Sequence, residues 1–290
     1  MTREGGRRIT AQAGEVEVLH RLALAVRPLD ARNRGPAGPG LRVGREAGRV
    51  PGRRERPAAP VRPLENHGAT GFVLRHGTTG ALGASVTVRV DDPARRWVPR
   101  RFSVPLWTLA ELTGADARPP TAAPVRAAAR LLAPWLLPGP AYPVPQGVTG
   151  MRLRVTRGGE PVRWPRVEAF GEGGLRIGWA HGDEHGQVLL LIDGGGALTY
   201  PMPSPYAVAL RTHAPDPATA PPPDPLDPLA DLVAEPVTRS ASPPRPQDLD
   251  NGLLRGTDVP AGYRTATADT VRQLTVGQVV HADDLPHTTA

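Results

Sequence analysis

The residues of this sequence that most resemble a chemical site are His181, Asp183, Glu184 and His185, its densest group of histidines and carboxylates. Imidazole nitrogens and carboxylate oxygens bind zinc and other transition metals, so His181, Asp183 and His185 are the candidate metal ligands. The competing interpretation is a hairpin turn in which Asp183 accepts backbone hydrogen bonds and the flanking glycines adopt positive φ. A metal site also needs partners that orient each histidine, and the sequence identifies none. The turn is therefore the preferred interpretation, and no metal or other cofactor is expected.

Other catalytic motifs are missing from the sequence. It contains no Cys, which excludes disulfides, thiolate metal sites and thiol nucleophiles. It also has no Gly-x-Ser-x-Gly elbow, no phosphate-binding Gly-Lys-Ser/Thr loop and no His-Glu-x-x-His pair. We therefore expect a protein that is not an enzyme.

A second candidate site is the cluster of arginines around Trp97, namely Arg95, Arg96, Arg100 and Arg101. One interpretation is a surface that docks on acidic protein neighbours, with Trp97 as its anchor. The other is a solvated strand edge, in which charge and the nearby prolines prevent aggregation. The edge interpretation is preferred because it accounts for the prolines as well as the arginines.

Charge is distributed unevenly along the chain. All 35 basic residues are Arg, and the net charge is +7. Residues 1–150 hold 23 Arg against 11 acidic residues, and residues 151–290 hold 12 against 17. A basic half and an acidic half suit docking between neighbouring subunits. Nucleic acid is not expected as a partner, because the 12 aromatic residues do not alternate with the Arg clusters as a stacking platform requires.

The pattern of apolar residues predicts a mostly β protein. Apolar residues alternate with polar ones over 16–26, 85–90 and 151–155, which is the period of a strand with one buried face. The 36 Pro and 33 Gly separate these segments into short strands and argue against a helical bundle. We expect two small antiparallel β-sandwich domains joined by Pro-rich linkers, with an extended C-terminal region.

The predicted domain limits follow the changes in composition along the chain. The segments are a flexible tail (1–14), a first sandwich (15–110), a connector (111–147), a second sandwich (148–214) and an extended C-terminal region (215–290).

Short helices are predicted at 125–137 and 226–234. A strand is predicted at 273–281 that pairs elsewhere, on a neighbouring subunit for example.

The sequence gives no sign of export or membrane insertion. The first ten residues are polar and basic with no apolar stretch behind them, and no run of about 18 apolar residues occurs. The expected location is the cytoplasm, or a particle assembled there.

A recurring pattern of turn and strand residues lies within 149–213, at Gly159, Pro161, Val162, Val167 and the turn at 182–188. On these residues the segment resembles a carboxypeptidase regulatory-like domain, a small transthyretin-like sandwich. The sequence has Val188 where the family usually has Phe, and Gly182 where it usually has Thr. The resemblance implies a domain for packing and interaction.

Three further segments, 89–106, 134–144 and 160–167, carry a second resemblance. On these segments the chain, over residues 20–215, resembles proteins of this kind that are encoded with phage-tail-like contractile injection systems of actinobacteria. This resemblance implies a structural subunit at the cap or the baseplate, docked on sheath or tube rings and part of a multi-subunit assembly. The alternative is a soluble β-sandwich adaptor for carbohydrate or protein partners, for which Trp97 and Trp179 should be exposed.

Overall fold

The computed structural model describes residues 6–9, 18–46, 61–77, 82–192, 205–238 and 251–289. Most of the predicted tail and residues 47–60, 193–204 and 239–250 lie outside the described residues. Within the described ranges the chain is mostly β, with several sheets and two short α-helices, so the predicted fold class is confirmed.

The first eleven strands are β1 (Gly6–Ile9), β2 (Val18–Val26), β3 (Leu29–Asp30), β4 (Arg42–Glu46), β5 (Val61–Pro63), β6 (Glu65–His67), β7 (Gly71–His76), β8 (Ser85–Asp91), β9 (Arg100–Pro105), β10 (Leu131–Leu132) and β11 (Trp135–Leu136). The other strands are β12 (Gly150–Arg157), β13 (Glu160–Pro161), β14 (Arg166–Phe170), β15 (Arg176–His181), β16 (Gln187–Leu191), β17 (Tyr206–Pro215), β18 (Glu235–Pro236), β19 (Tyr263–Thr265), β20 (Thr270–Leu274), β21 (Val279–His281) and β22 (Leu285–Pro286). The helices are α1 (Leu109–Asp116), α2 (Gly252–Arg255) and two 3₁₀ turns at Ala127–Arg130 and Glu172–Gly174.

The chain forms two compact units, each assembled from three segments. The first unit comprises 1–90, 100–135 and 234–255, and the second comprises 91–99, 136–233 and 256–290. The predicted domains were contiguous ranges, whereas each observed unit includes residues from the C-terminal part of the chain.

The first unit contains two five-stranded sheets. One has the order β1-β2-β7-β6, with β10 also paired to β2, and the other has the order β18-β9-β8-β4-β5. The valines of β8 are buried as their alternation predicts, with Val88 and Val90 fully inaccessible, as is Phe102 on the adjacent β9.

The second unit is a pair of five-stranded sheets around one apolar core. One sheet has the order β13-β12-β16, with β21 and β22 also paired to β12, and the other has the order β15-β14-β17, with β19 and β20 beside β17. Met151, Leu153 and Val155 point from β12 into this core while Arg154 stays exposed, as the period of two predicts. The opposite sheet contributes Val167, Ala169, Val208 and Leu210 to the core.

Both predicted helices differ from the structure. Residues 125–137 form only the 3₁₀ turn Ala127–Arg130 before the chain extends into β10 and β11, because Pro134 cannot continue a helix. Residues 226–234 form turns, in which the side chains of Asp224 and Asp227 accept hydrogen bonds from the backbone N–H groups of Leu226 and Leu229. Such aspartates compete with the helical hydrogen-bond pattern.

The strand predicted at 273–281 pairs within its own chain. Residues 270–274 form β20 on the edge of β17, and Val279–His281 forms β21 parallel to β12. The hairpin predicted around residues 181–186 is also only partly correct. Its turn is present, and antiparallel bridges join Gly178 to Ile192 and Gly182 to Val188. The continuous ladders of β15 and β16, however, are formed with β14 and β12, in different sheets.

Candidate functional site

The predicted cluster at 181–185 is a tight turn organised by Asp183. One oxygen of this buried carboxylate accepts hydrogen bonds from the backbone N–H groups of His185 and Gln187, both at 2.9 Å. The other oxygen lies 2.5 Å from Nη2 of Arg95. Gly186 has φ +72°, as expected. Gly182 does not adopt positive φ, and it is required for a different reason, since a Cβ there would lie 2.5 Å from Cγ of Pro165.

The two histidines of the cluster have different environments. His181 is buried, and its Nε2 lies 2.7 Å from the carbonyl oxygen of Gly256. The side chain of His185 is 60% exposed, and its Nε2 lies 3.5 Å from Glu184. Across the described ranges no group of three or more His, Asp or Glu side chains is gathered to hold a metal ion. The structure therefore does not bring His181, Asp183 and His185 together as ligands.

The arginine cluster around Trp97 is divided between the two units. In the second unit Arg96 forms a bidentate ion pair with Asp92, with contacts of 2.9 and 3.1 Å, and its guanidinium lies over the Trp97 ring at 4.6 Å. Burial opposes the ionisation of Asp92, but hydrogen bonds from Arg96 lower its pKa below the ordinary value. Trp97 is only 6% exposed and packs edge-on against Tyr142. A partner would therefore reach the arginines of this turn but not the tryptophan.

In the first unit, the arginines of this cluster bind carboxylates of the same chain. Arg100 is 1% exposed and forms a bidentate pair with Glu235. Arg101 lies 2.7 Å from Glu46, whose other oxygen binds Arg89 of the neighbouring strand. Of the five residues, Arg95 is the most exposed, with 44% of its side chain accessible. Sequence reasoning did not identify these carboxylate partners.

Sequence reasoning also missed a polar network on the outer face of the second unit. Nε2 of the buried His213 lies 2.9 Å from Glu168, and its Nδ1 lies 2.9 Å from the hydroxyl of the exposed Thr265. Burial opposes the ionisation of Glu168, but hydrogen bonds from His213 and then Arg176 lower its pKa. The sequence did contain one signal for this network. In β14, Glu168 lies between the buried Val167 and Ala169, so the alternation of the strand places Glu168 on the face opposite to the core.

This network combines a hydroxyl, an imidazole and a carboxylate, the groups that activate a nucleophile in acyl transfer. Such chemistry also needs hydrogen-bond donors for the oxyanion. The nearby cations are bound to carboxylates, Arg176 to Glu168 at 3.1 Å and Arg211 to Asp269 at 2.9 Å. The contacts present hold His213 between Glu168 of β14 and Thr265 of β19.

The tryptophans on which the adaptor alternative depends are buried. Trp97 is 6% and Trp179 is 7% exposed, and Trp179 packs against His181 and His213. A carbohydrate-binding site built on these tryptophans would need their ring faces to be accessible. Their burial therefore removes the motivation for the adaptor alternative.

No protein-family model matches this chain, and neither a curated protein nor a solved structure matches it significantly. No helix in the described part of the chain is long and apolar enough to cross a membrane.

Proposed function

We propose that this chain is a non-enzymatic structural subunit of a phage-tail-like contractile injection particle, where it docks on neighbouring protein subunits at the cap or the baseplate. The observation that carries the proposal is the division of charge between the two compact units. The first unit holds 24 Arg against 12 acidic residues, and the second holds 11 Arg against 16. The net charges of the units are therefore +12 and −5. Opposite charges on separate bodies favour heterologous docking between successive subunits.

The edge of the second sheet of the first unit is the basic surface best suited to an acidic partner. The outermost strand is β5, whose three residues are all exposed. Arg62 on β5 lies directly opposite Arg45 on β4. Burial and then repulsion from Arg62 lower the pKa of Arg45. Like charges opposite one another on paired strands destabilise a sheet, and a carboxylate-rich neighbour would relieve this repulsion.

The buried ion pairs support a structural role. The Arg100 pair joins β9 to β18, and the Glu46 carboxylate joins β4 to β8 and β9 through Arg89 and Arg101. These contacts connect segments that are distant in sequence and keep the strands of one sheet in register. A rigid scaffold of this kind suits a subunit that must keep its shape within an assembly.

The proposal is tested on particles purified from cells that encode this chain. Quantitative mass spectrometry should find the chain at a fixed stoichiometry relative to sheath and tube subunits. Replacement of Arg62 by Glu should reduce its incorporation, whereas Arg154→Glu, which changes an exposed ion-paired residue of the acidic unit, should leave incorporation near the wild-type level. Intact particles that lack the chain would exclude the proposed function, and equal incorporation of both variants would exclude β5 as the docking edge.

A further inference from the structure

The last residues of β12 and of β22 lie side by side in the second unit. The two strands pair in parallel, with Val155 opposite Leu285 and Thr156 opposite Pro286. The backbone N–H of His287 donates to the carbonyl of Thr156 at 2.7 Å. Arg157 and His287 are therefore the next residues along these strands. Because side chains alternate along a strand, both lie on the face of Val155 and Leu285, which is the face of the core.

Three polar atoms at this position are buried without a hydrogen-bond partner in the described structure. They are Nε and Nη2 of Arg157 and Nε2 of His287. His287 is 1% exposed. Its other ring nitrogen, Nδ1, lies 2.8 Å from the hydroxyl of Thr212 on β17. Buried donors are almost always satisfied in folded proteins, because an unmade hydrogen bond costs the full desolvation of the group.

The chemistry of these atoms specifies what would satisfy them. Nε–H and Nη2–H lie on one edge of the guanidinium and form the fork that binds a carboxylate through two parallel hydrogen bonds. Burial, followed by the charges of Arg157 and His213, lowers the pKa of His287 to about 4. The imidazole is therefore neutral at pH 7. When the Thr212 hydroxyl donates to Nδ1, Nε2 carries the single ring proton and becomes a third donor.

An acidic side chain near Arg157, that of Asp216, is already engaged. Asp216, at the end of β17, lies 2.8 Å from Nε of Arg264 and accepts a hydrogen bond of 3.0 Å from the backbone of Ala218. It is close enough for its charge to interact with Arg157, yet the structure shows no ion pair between the two. Arg157 thus has a positive charge and two buried donors that no described side chain accepts.

We propose that Arg157 and His287 form a binding site for a small monoanionic carboxylate. The carboxylate oxygens accept from Nε–H and Nη2–H of Arg157, and one of them also accepts from Nε2–H of His287. Thr212 positions the imidazole by holding Nδ1. This site lies in the second unit and does not depend on the docking function proposed above.

The test uses sodium acetate as the probe and the full chain as the protein. Thermal unfolding is followed in acetate and in sodium chloride of equal ionic strength. At tenfold excess over its dissociation constant, acetate should raise the Tm by roughly 3 °C relative to chloride. Arg157→Gln should abolish this rise. Arg154→Gln is the matched control, because Arg154 lies on the same strand but is exposed and bound to Asp284, and it should keep the rise.

A second measurement covers the case in which Arg157→Gln does not fold. In the wild-type protein at pH 7, NMR of the histidine ring protons should show that acetate shifts the His287 signal relative to chloride, since a bound carboxylate oxygen accepts from its Nε2–H. His67, which is exposed on β6 of the first unit, should not respond. No acetate-specific change at His287 would overturn the site, and a response to inorganic phosphate but not to acetate would overturn the assignment of a carboxylate.

Discussion

Arg100 and Glu235, 135 positions apart in the sequence, form a buried bidentate ion pair in the first unit, with contacts of 3.0 Å from Nε and 2.6 Å from Nη2. The remaining three N–H groups of the guanidinium donate to the carbonyl oxygens of Trp135, Leu253 and Leu254. All five donors of Arg100 therefore have acceptors. A buried charge is tolerated only when it is satisfied in this way.

Replacement of Arg100 by Met should strongly destabilise the protein. The substitution leaves Glu235 buried without its cation and three carbonyl groups without a donor, and breaking a buried ion pair costs about 3–5 kcal/mol. Urea denaturation would measure this loss as a lower midpoint. The control is Arg154→Met, which breaks a pair whose side chains are 48% and 44% exposed and should therefore shift the midpoint far less. Similar losses for both variants would contradict the buried role of Arg100.

This ion pair also shows where sequence reasoning stops. The alternation of Met151, Leu153 and Val155 is a local pattern, and it predicted both the strand and its buried face correctly. The partner of Arg100 depends on how β9 and β18 come together, and no local pattern encodes that pairing. The same limit applies to His213 and Glu168, whose side chains come within hydrogen-bond distance only because β17 pairs with β14.

Helix α1 is a different case, because its signal was present in the sequence and was overlooked. Thr108 and Glu111 form a capping box, in which the backbone N–H of Glu111 donates to the Thr108 hydroxyl at 3.1 Å and the backbone N–H of Thr108 donates to the Glu111 carboxylate at 2.6 Å. A Thr followed three residues later by Glu is a known helix start.

Thr108→Ala should therefore destabilise the first unit by about 1 kcal/mol, the usual cost of losing an N-cap side chain. Thr108→Ser keeps the hydroxyl and should remain within a few tenths of a kcal/mol of the wild type. These differences are measured by comparing the midpoints of urea denaturation of the wild type and the two variants. If Ser and Ala had the same effect, the hydroxyl hydrogen bond would not be what stabilises the start of α1.

The stability of the protein should depend on pH through His287. The pKa of this residue is about 4 in the folded protein and about 6.5 in the unfolded chain. The unfolded state therefore takes up the proton first as the pH falls. The free energy of unfolding therefore keeps its full value above pH 6.5. As the pH falls from 6.5 towards 4, it decreases by up to about 2–3 kcal/mol.

His287→Gln removes this titration and should flatten the dependence of the free energy of unfolding on pH between 6.5 and 4. Denaturation by urea at several pH values in this range would measure the slope. Glu168 has a pKa below its ordinary value, so its contribution is lost only as the pH falls through the ordinary pKa of a glutamate towards the lower folded value, where the unfolded chain takes up the proton first. An unchanged slope between pH 6.5 and 4 in His287→Gln would show that His287 does not control stability there.

Asp231 should be essential for the conformation at Trp164. Trp164 is 2% exposed with φ +55°, and its indole N–H donates to Asp231 at 2.8 Å. The same carboxylate binds Arg163, with an Nη2 contact of 2.9 Å. Asp231→Ala leaves the buried indole N–H without an acceptor, which costs about 1–3 kcal/mol. Asp231→Asn retains an acceptor for Trp164 and should cost less.

Asp269→Ala, which breaks the more exposed pair with Arg211, serves as the control and should cost at most about 1 kcal/mol. Urea denaturation should therefore rank Asp231→Ala as the least stable of the three, and any other order would show that the indole hydrogen bond does not hold Trp164 in place.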